Sequence, residues 1–250
     1  MSSDARSIPL RVVLGYNGSD MIQIYHLNKQ YPAGSLVFQD AFFSAPSASF
    51  VVLYGGNRSG KSTLLKMMCG EESPTSGLVL VDGRRITELD PDGRRDHLKE
   101  VGLVFPDLGL LWERTVEENL LLPLRLREEF RSDAHRRALS FLDKVGLKGK
   151  EGKKPADLSF GEQRAVVFLR ALVAKPRLIL ADEPFQGLDA PMIGTFMDIL
   201  SELQKEGATV VLGTQDPEPM ARYERTHPGM KIVWGRLAEQ RIHPAEAPPC

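Results

Sequence analysis

The sequence predicts an α/β fold: a mixed sheet whose core is parallel, joined to a smaller antiparallel β region and interrupted by a helical insert. Three observations predict it. Short apolar, β-branched runs alternate with amphipathic stretches along the 250 residues, as expected of strands covered on both faces by crossover helices. A glycine-rich segment, Gly55-Gly56-Asn57-Arg58-Ser59-Gly60-Lys61-Ser62-Thr63, joins one such strand directly to a helical pattern through Leu64, Leu65, Met67 and Met68. Between Trp112 and Val173 the strand pattern stops and helical periodicity replaces it.

Taken in order, residues 1–20 read as an N-terminal extension. Arg11 interrupts the only apolar stretch there and no small-residue cleavage pattern follows, so no secretory signal is expected. The main domain is expected over residues 21–240. Ile22–Tyr25, Ser35–Phe38 and Val79–Ile86, the last turned by Asp82-Gly83, are expected as antiparallel strands and hairpins. Ser49–Tyr54, Val101–Phe105, Arg177–Asp182 and Thr209–Thr214 are expected as central parallel strands. Residues 112–173 are expected as a helical subdomain. There Ser132 is placed to cap a helix that carries Leu139, Leu142 and Val145 on one face and stops before Gly146. Arg125 to Lys154 holds ten basic and five acidic residues, a composition read as a solvated helix face in preference to a phosphate-binding patch. Residues 241–250, with Pro244, Pro248 and Pro249, read as a disordered tail.

Composition removes several function classes. A formal net charge of −1 gives no global positive field, so non-specific nucleic-acid binding is not expected. No apolar run reaches the ~18 to 20 residues of a membrane-spanning helix. Cys69 and Cys250 form neither a metal-ligand pair nor a disulfide framework.

The residues that carry chemistry lie at two strand ends. The glycine-rich segment fits G-x-x-x-x-G-K-S/T, whose glycines let successive N–H groups curl inward at phosphate oxygens while the helix N-terminus adds its partial positive charge. In that pattern Lys61 reaches the β- and γ-phosphates and Ser62 offers its hydroxyl to Mg²⁺. Leu178-Ile179-Leu180-Ala181-Asp182-Glu183-Pro184 then places two acids at the carboxyl end of a buried strand, where open parallel sheets bind ligands. Asp182 is expected to hold Mg²⁺ through water, and Glu183 to orient and deprotonate an attacking water. In Leu158-Ser159-Phe160-Gly161-Glu162-Gln163, Ser159 and Glu162 form a capping box that starts another helix.

With these residues in place, the chain resembles the nucleotide-binding domain of ATP-binding cassette (ABC) proteins, a branch of the P-loop NTPases. Leu158 to Gln163 resembles the family's LSGGQ signature, Gly187-Leu188-Asp189 its D-loop, and Thr214-Gln215-Asp216 its switch loop, and Tyr31 falls at its adenine-stacking aromatic. Arg114-Thr115-Val116, Asp143 to Leu147 and Ala181 to Pro184 are most similar to the group that includes the FtsE and LolD ATPases. The resemblance implies ATP and Mg²⁺ as ligands and a homodimer in which Ser159, Gly161 and Glu162 of one copy face the nucleotide of the other. It also implies separate transmembrane subunits that dock near Asp107, Leu108, Leu110, Leu111 and Trp112, for which local core packing is the alternative reading. The protein would then be cytoplasmic, peripheral on the inner face of the plasma membrane.

Three positions depart from the family pattern. Pro106 stands where the family has a glutamine that contacts Mg²⁺ and water, Phe160 replaces the first signature glycine, and Gln215 replaces the switch histidine. A neutral amide donates a hydrogen bond but cannot be protonated. The implied activity is therefore a slow ATPase driving a membrane complex, against the alternative of a nucleotide-dependent structural or regulatory module with little turnover. A third alternative, a soluble ABC protein of translation or DNA repair, is disfavoured by the single cassette and the lack of a long inserted coiled coil.

Overall fold

Hydrogen-bonding geometry divides the strands into two sheets. The computed structural model describes residues 11–12, 20–32, 35–107, 109–127, 132–227, 232–238 and 241–242. Along the chain the elements are β1 (Arg11–Val12), β2 (Asp20–Gln30), β3 (Leu36–Pro46), β4 (Phe50–Tyr54), α1 (Lys61–Cys69), β5 (Ser76–Val81), β6 (Arg84–Arg85), α2 (Pro91–Glu100), β7 (Val101–Val104), α3 (Val116–Leu126), α4 (Ser132–Lys144), α5 (Phe160–Leu172), β8 (Leu178–Asp182), α6 (Ala190–Lys205), β9 (Thr209–Thr214), α7 (Glu218–Thr226), β10 (Ile232–Ala238) and β11 (Arg241–Ile242).

The larger sheet has the order β11-β10-β4-β9-β8-β7, and β10, β4, β9, β8 and β7 are mutually parallel. Its central strands are buried along their whole length, and their side chains alternate between two cores, as the pleat requires. Phe50, Val52, Ile179, Ala181, Val210 and Leu212 pack with α5 and α6. Val51, Leu53, Leu178, Leu180 and Val211 pack with α1 and the smaller sheet. The smaller sheet, β1-β3-β2-β5-β6, is antiparallel except for the β1–β3 pair. Asp82 and Gly83, both at positive φ, turn its β5–β6 hairpin.

Several boundaries differ from the sequence expectation for identifiable reasons. β2 and β3 are each far longer than expected, because their register shifts interrupt the apolar alternation and leave His26 and Asp40 at positive φ, hydrogen-bonded to each other at 2.8 Å. α4 is described from Ser132 onward, and the residue before it lies outside the described residues. The buried face of α4 is Ala134, Ala138, Phe141 and Leu142, continued by Val145 just past its end, whereas Leu139 is 37 % exposed; Leu139 lies one position off the stripe that the 3.6-residue period selects. β10 had no expected counterpart, since Trp234-Gly235-Arg236 breaks its apolar run. Between β7 and β8 the described residues form helices and no strand. Residues 1–10, 13–19 and 243–250, which include most of the expected extension and tail, lie outside the described residues, as does Leu108.

Basic residues of the Arg125–Lys154 stretch are largely spoken for. Lys150 pairs with Glu162, Lys154 with Glu113, Lys144 with Glu202 and Lys148 with Asp143, while Arg127 and Arg137 donate to the carbonyls of Ala174 and Val173.

Candidate functional site

The carboxyl ends of β4, β8 and β9 converge on the glycine-rich loop. β4 is fixed between β10 and β9, so its last residue delivers the chain into the loop at a defined point. Gly60 closes the loop as the N-cap of α1 with φ +97° and no side chain capping the helix. A Cβ there would stand 2.8 Å from Phe38 Cζ and 2.9 Å from Val37 Cγ1, so only glycine fits both the conformation and the space. The first N–H groups of α1 are thus left without an internal cap, the arrangement that favours an anion.

Lys61, the first residue of α1, is buried. Its Nζ donates to the carbonyls of Gly55 at 2.7 Å and Gly56 at 2.9 Å, with Ser59 Oγ at 3.4 Å, and stands 3.8 Å from Glu183 Oε1. Burial lowers its pKa, partly opposed by the charges of Glu183 and Asp182. Asp182 ends β8 and is also buried. Burial raises its carboxyl pKa, against a hydrogen bond from Ser62. Two buried oxygens face this space without a hydrogen-bond partner, Asp182 Oδ1 and Glu183 Oε1. Unpartnered carboxylate oxygens are costly, and here they sit beside a hydroxyl and an ammonium group. That donor set suits Mg²⁺, which keeps waters and phosphate oxygens and needs few protein ligands. No cluster of three or more His, Cys, Asp or Glu suited to hold a metal occurs among the described residues.

Glu183 is held from every side. It lies at φ +45°, a left-handed conformation that costs a non-glycine residue about 1–3 kcal/mol. Its N–H donates to Gly213 O at 2.8 Å, and Oε2 accepts from Thr214 Oγ1 and from the Gln215 N–H, each at 3.1 Å. Its carbonyl accepts from Arg164 Nη2 at 2.7 Å.

A cleft of about 570 Å³ joins Tyr31, Asn57, Arg58, Ser59, Gly60, Lys61, Ser62, Thr63, Pro106, Asp182, Glu183 and Gln215. Tyr31 OH lies 3.2 Å from Thr63 Oγ1, and the Lys29 ammonium covers one face of the ring at 4.8 Å from its centroid. Gln215 touches Glu183 through its main chain, and its side chain is exposed. Ser159, Gly161 and Glu162 do not line this cleft; they form the N-terminus of α5, where Ser159 Oγ accepts from the Glu162 N–H and Glu162 Oε2 from the Ser159 N–H. Phe160 is 57 % exposed there, with its ring packed on Gly187, which has φ +78° and where a Cβ would stand 3.2 Å from the Phe160 ring. A second groove, between α6 and α7, has about 440 Å³ and is lined by Met197, Tyr223 and His227 among others; it shares no residue with the phosphate loop.

The residue the sequence reading passed over is Arg164. It is buried and also donates through Nη1 to Pro106 O at 3.1 Å. The available signal was an arginine adjoining the fully apolar helical run of residues 165–169. Of the positions after Pro106, Leu110 is core, whereas Leu111 and Trp112 are 42 % and 50 % exposed.

Comparisons with known proteins agree on one grouping. Residues 38–186 match the family model described as ABC transporter. The cell division ATP-binding protein FtsE of Escherichia coli K12 is 36 % identical over 202 residues, covering 81 % of this chain and 91 % of that protein. The methionine import ATP-binding protein MetN of Bacillus subtilis is 34 % identical over 200 residues, covering 78 % of this chain and 59 % of that protein. Among solved structures, the dimeric post-hydrolysis state of the ATP-binding cassette MJ0796 bound to ADP and phosphate superposes with a TM-score of 0.77 at 28 % identity, over 89 % of this chain and 97 % of that one.

Proposed function

This chain belongs to the ABC transporter family of ATP-binding ATPases, and from that premise we propose that it is a slow ATPase subunit of an FtsE/LolD-like membrane complex. Nucleotide-driven closure of a homodimer is coupled there to separate transmembrane subunits. The observation that carries the reading is the pair of unpartnered buried oxygens on Asp182 and Glu183, facing Lys61 and the uncapped start of α1. Such a site suits phosphates, a cation and water.

In this reading the loop from Gly55 to Thr63 cradles the phosphates through its N–H groups, and Lys61 exchanges the Gly55 and Gly56 carbonyls for phosphate oxygens. Ser62 and Asp182 hold Mg²⁺, which when bound neutralises charge on the β- and γ-phosphates. Glu183 takes a proton from water as the water oxygen bonds to the γ-phosphorus and the bond from that phosphorus to the β–γ bridging oxygen breaks, releasing ADP and phosphate. Tyr31 keeps one ring face for the adenine. Ser159, Gly161 and Glu162 meet the nucleotide of a second copy across a two-fold axis. Exposed Leu111 and Trp112 are the docking point for transmembrane subunits. No helix among the described residues is long and apolar enough to cross a membrane, and on this proposal the protein is cytoplasmic and held at the inner face of the plasma membrane by those partners.

Slowness follows from Pro106, which brings no polar side chain to the site, and from Gln215, whose neutral amide cannot be protonated as an imidazole can, each such contact being worth about 10²–10³ in rate. These positions and Phe160 also support the second reading, a regulatory module with little turnover. Steady-state phosphate release decides between them. We expect wild type to exceed Glu183→Gln, and Pro106→Gln/Gln215→His to raise the rate by about 10² or more. If wild type equals Glu183→Gln, with and without membrane partners and with ATP binding intact, the regulatory reading replaces the enzymatic one.

A further inference from the structure

Arg164 connects two segments that are far apart in sequence. Its guanidinium forks between the carbonyl of Pro106, at 3.1 Å, and that of Glu183, at 2.7 Å. Pro106 has neither an N–H nor a polar side chain, so this carbonyl is the polar group through which the loop after β7 can be held at that point. Glu183 sits at positive φ, its N–H is committed to Gly213, and its carbonyl accepts from the Gln186 N–H at 3.3 Å and from Arg164 at 2.7 Å, so Arg164 makes the shorter bond to that carbonyl and the one that reaches another segment of the chain. The guanidinium is buried, and burial lowers its pKa. A planar fork meets two acceptors in fixed directions, which a lysine ammonium on a flexible stem does not reproduce. Arg164 lies on α5, one turn beyond the Ser159–Glu162 cap, so three parts of the proposed machinery meet at one side chain.

We infer that Arg164 is a positioning residue: it locks the Glu183 main chain to the loop beginning at Pro106, so that displacement of that loop is transmitted to the Glu183 carboxylate. The inference rests on the assignment of Glu183 as the hydrolytic base. It also predicts the reverse transmission, in which ATP at the cleft changes the setting of the loop that carries exposed Trp112.

The test uses the full chain with Trp234→Phe, which leaves Trp112 as the only tryptophan. ATP affinity, phosphate release and the ATP-induced change in Trp112 fluorescence are measured for Arg164→Gln, Arg164→Lys and Arg170→Gln. Arg170 also lies on α5 and donates to Gly109 O at 2.7 Å, so it contacts the same loop with no hydrogen bond to Glu183. In Arg164→Gln, kcat is expected to fall by about 10²-fold, the scale of a small misplacement of a reacting group, with ATP affinity within about threefold and the Trp112 response lost. Arg164→Lys keeps the charge and is expected to show the same losses while remaining folded by circular dichroism, and it carries the test should Arg164→Gln unfold. Arg170→Gln is expected to keep both kcat and the response.

A wild-type Trp112 signal that ignores ATP overturns the inference. So do an unchanged response in Arg164→Lys and an equal loss in Arg170→Gln. Should wild type release no more phosphate than Glu183→Gln, the assignment of Glu183 fails by itself, and the Trp112 response in Arg164→Lys still decides whether cleft and loop are linked.

Discussion

The helix that follows the glycine loop and the helix that follows Leu158 both begin with N–H groups aimed away from the chain, yet they are finished differently. At α1 the cap is Gly60, which brings no acceptor, so the donors stay open, and opposite them Asp182 Oδ1 and Glu183 Oε1 lack a hydrogen-bond partner. At α5, Ser159 and Glu162 satisfy each other's main-chain donors in a capping box. One end is unfinished without a ligand; the other is complete alone and has only its outer surface to offer. The choice of cap residue thus sorts two similar helix starts into a binding site and a contact surface.

The largest break in this contrast is Gly60→Ala. The left-handed conformation costs a residue with a Cβ about 1–2 kcal/mol, and the new Cβ meets Phe38 and Val37 under 3.0 Å. Nucleotide affinity, followed by titration with a fluorescent ATP analogue, is expected to fall by about 10- to 100-fold, the worth of a hydrogen bond to a charged group. Next, Asp182→Asn should stabilise the nucleotide-free protein by about 1 kcal/mol, or about 2–4 °C in Tm, while weakening binding of Mg²⁺-nucleotide. Burial raises the Asp182 pKa above 3.8, so its contribution to stability is present below pH 3.8 and is lost as pH rises through the raised value. The gain in the asparagine variant is therefore expected at pH 7 and should shrink towards pH 4 in urea unfolding curves. Smallest are the changes at α5. Ser159→Ala should cost about 1 kcal/mol in thermal unfolding through the lost cap, and Gly161→Ala less than about 0.5 kcal/mol, since its Cβ would meet Gly187 O at an ordinary 3.7 Å. A Gly161→Ala loss as large as that of Gly60→Ala would dissolve the distinction.

The sequence revealed the parts of this site that are contiguous. The strand–loop–helix around Lys61, the Asp182–Glu183 strand end and the Ser159–Glu162 cap all announce themselves through local chemistry. Arg164 and Gly213 did not, because their roles depend on which main-chain groups fold next to them, and a carbonyl of Pro106 or Gly213 has no residue-specific signature; Thr214 is legible as part of the switch loop but not as a donor to Glu183. The same reason hid β10, whose place beside β4 is set by the sheet rather than by its own broken apolar pattern, and the full length of β2 and β3, whose bulges at His26 and Asp40 scramble a period of two.

The strand order also sets a timetable for synthesis. β4 and the phosphate loop are made early, but the partners of β4 in the sheet are β9, ending at Thr214, and β10, beginning at Ile232. At ordinary ribosomal speeds the apolar run Phe50–Tyr54 waits on the order of ten seconds or more for either neighbour. Throughout that interval it is an unpaired strand of the kind that aggregates, so a nascent chain stalled before β9 is a substrate for chaperones rather than a partly working nucleotide binder.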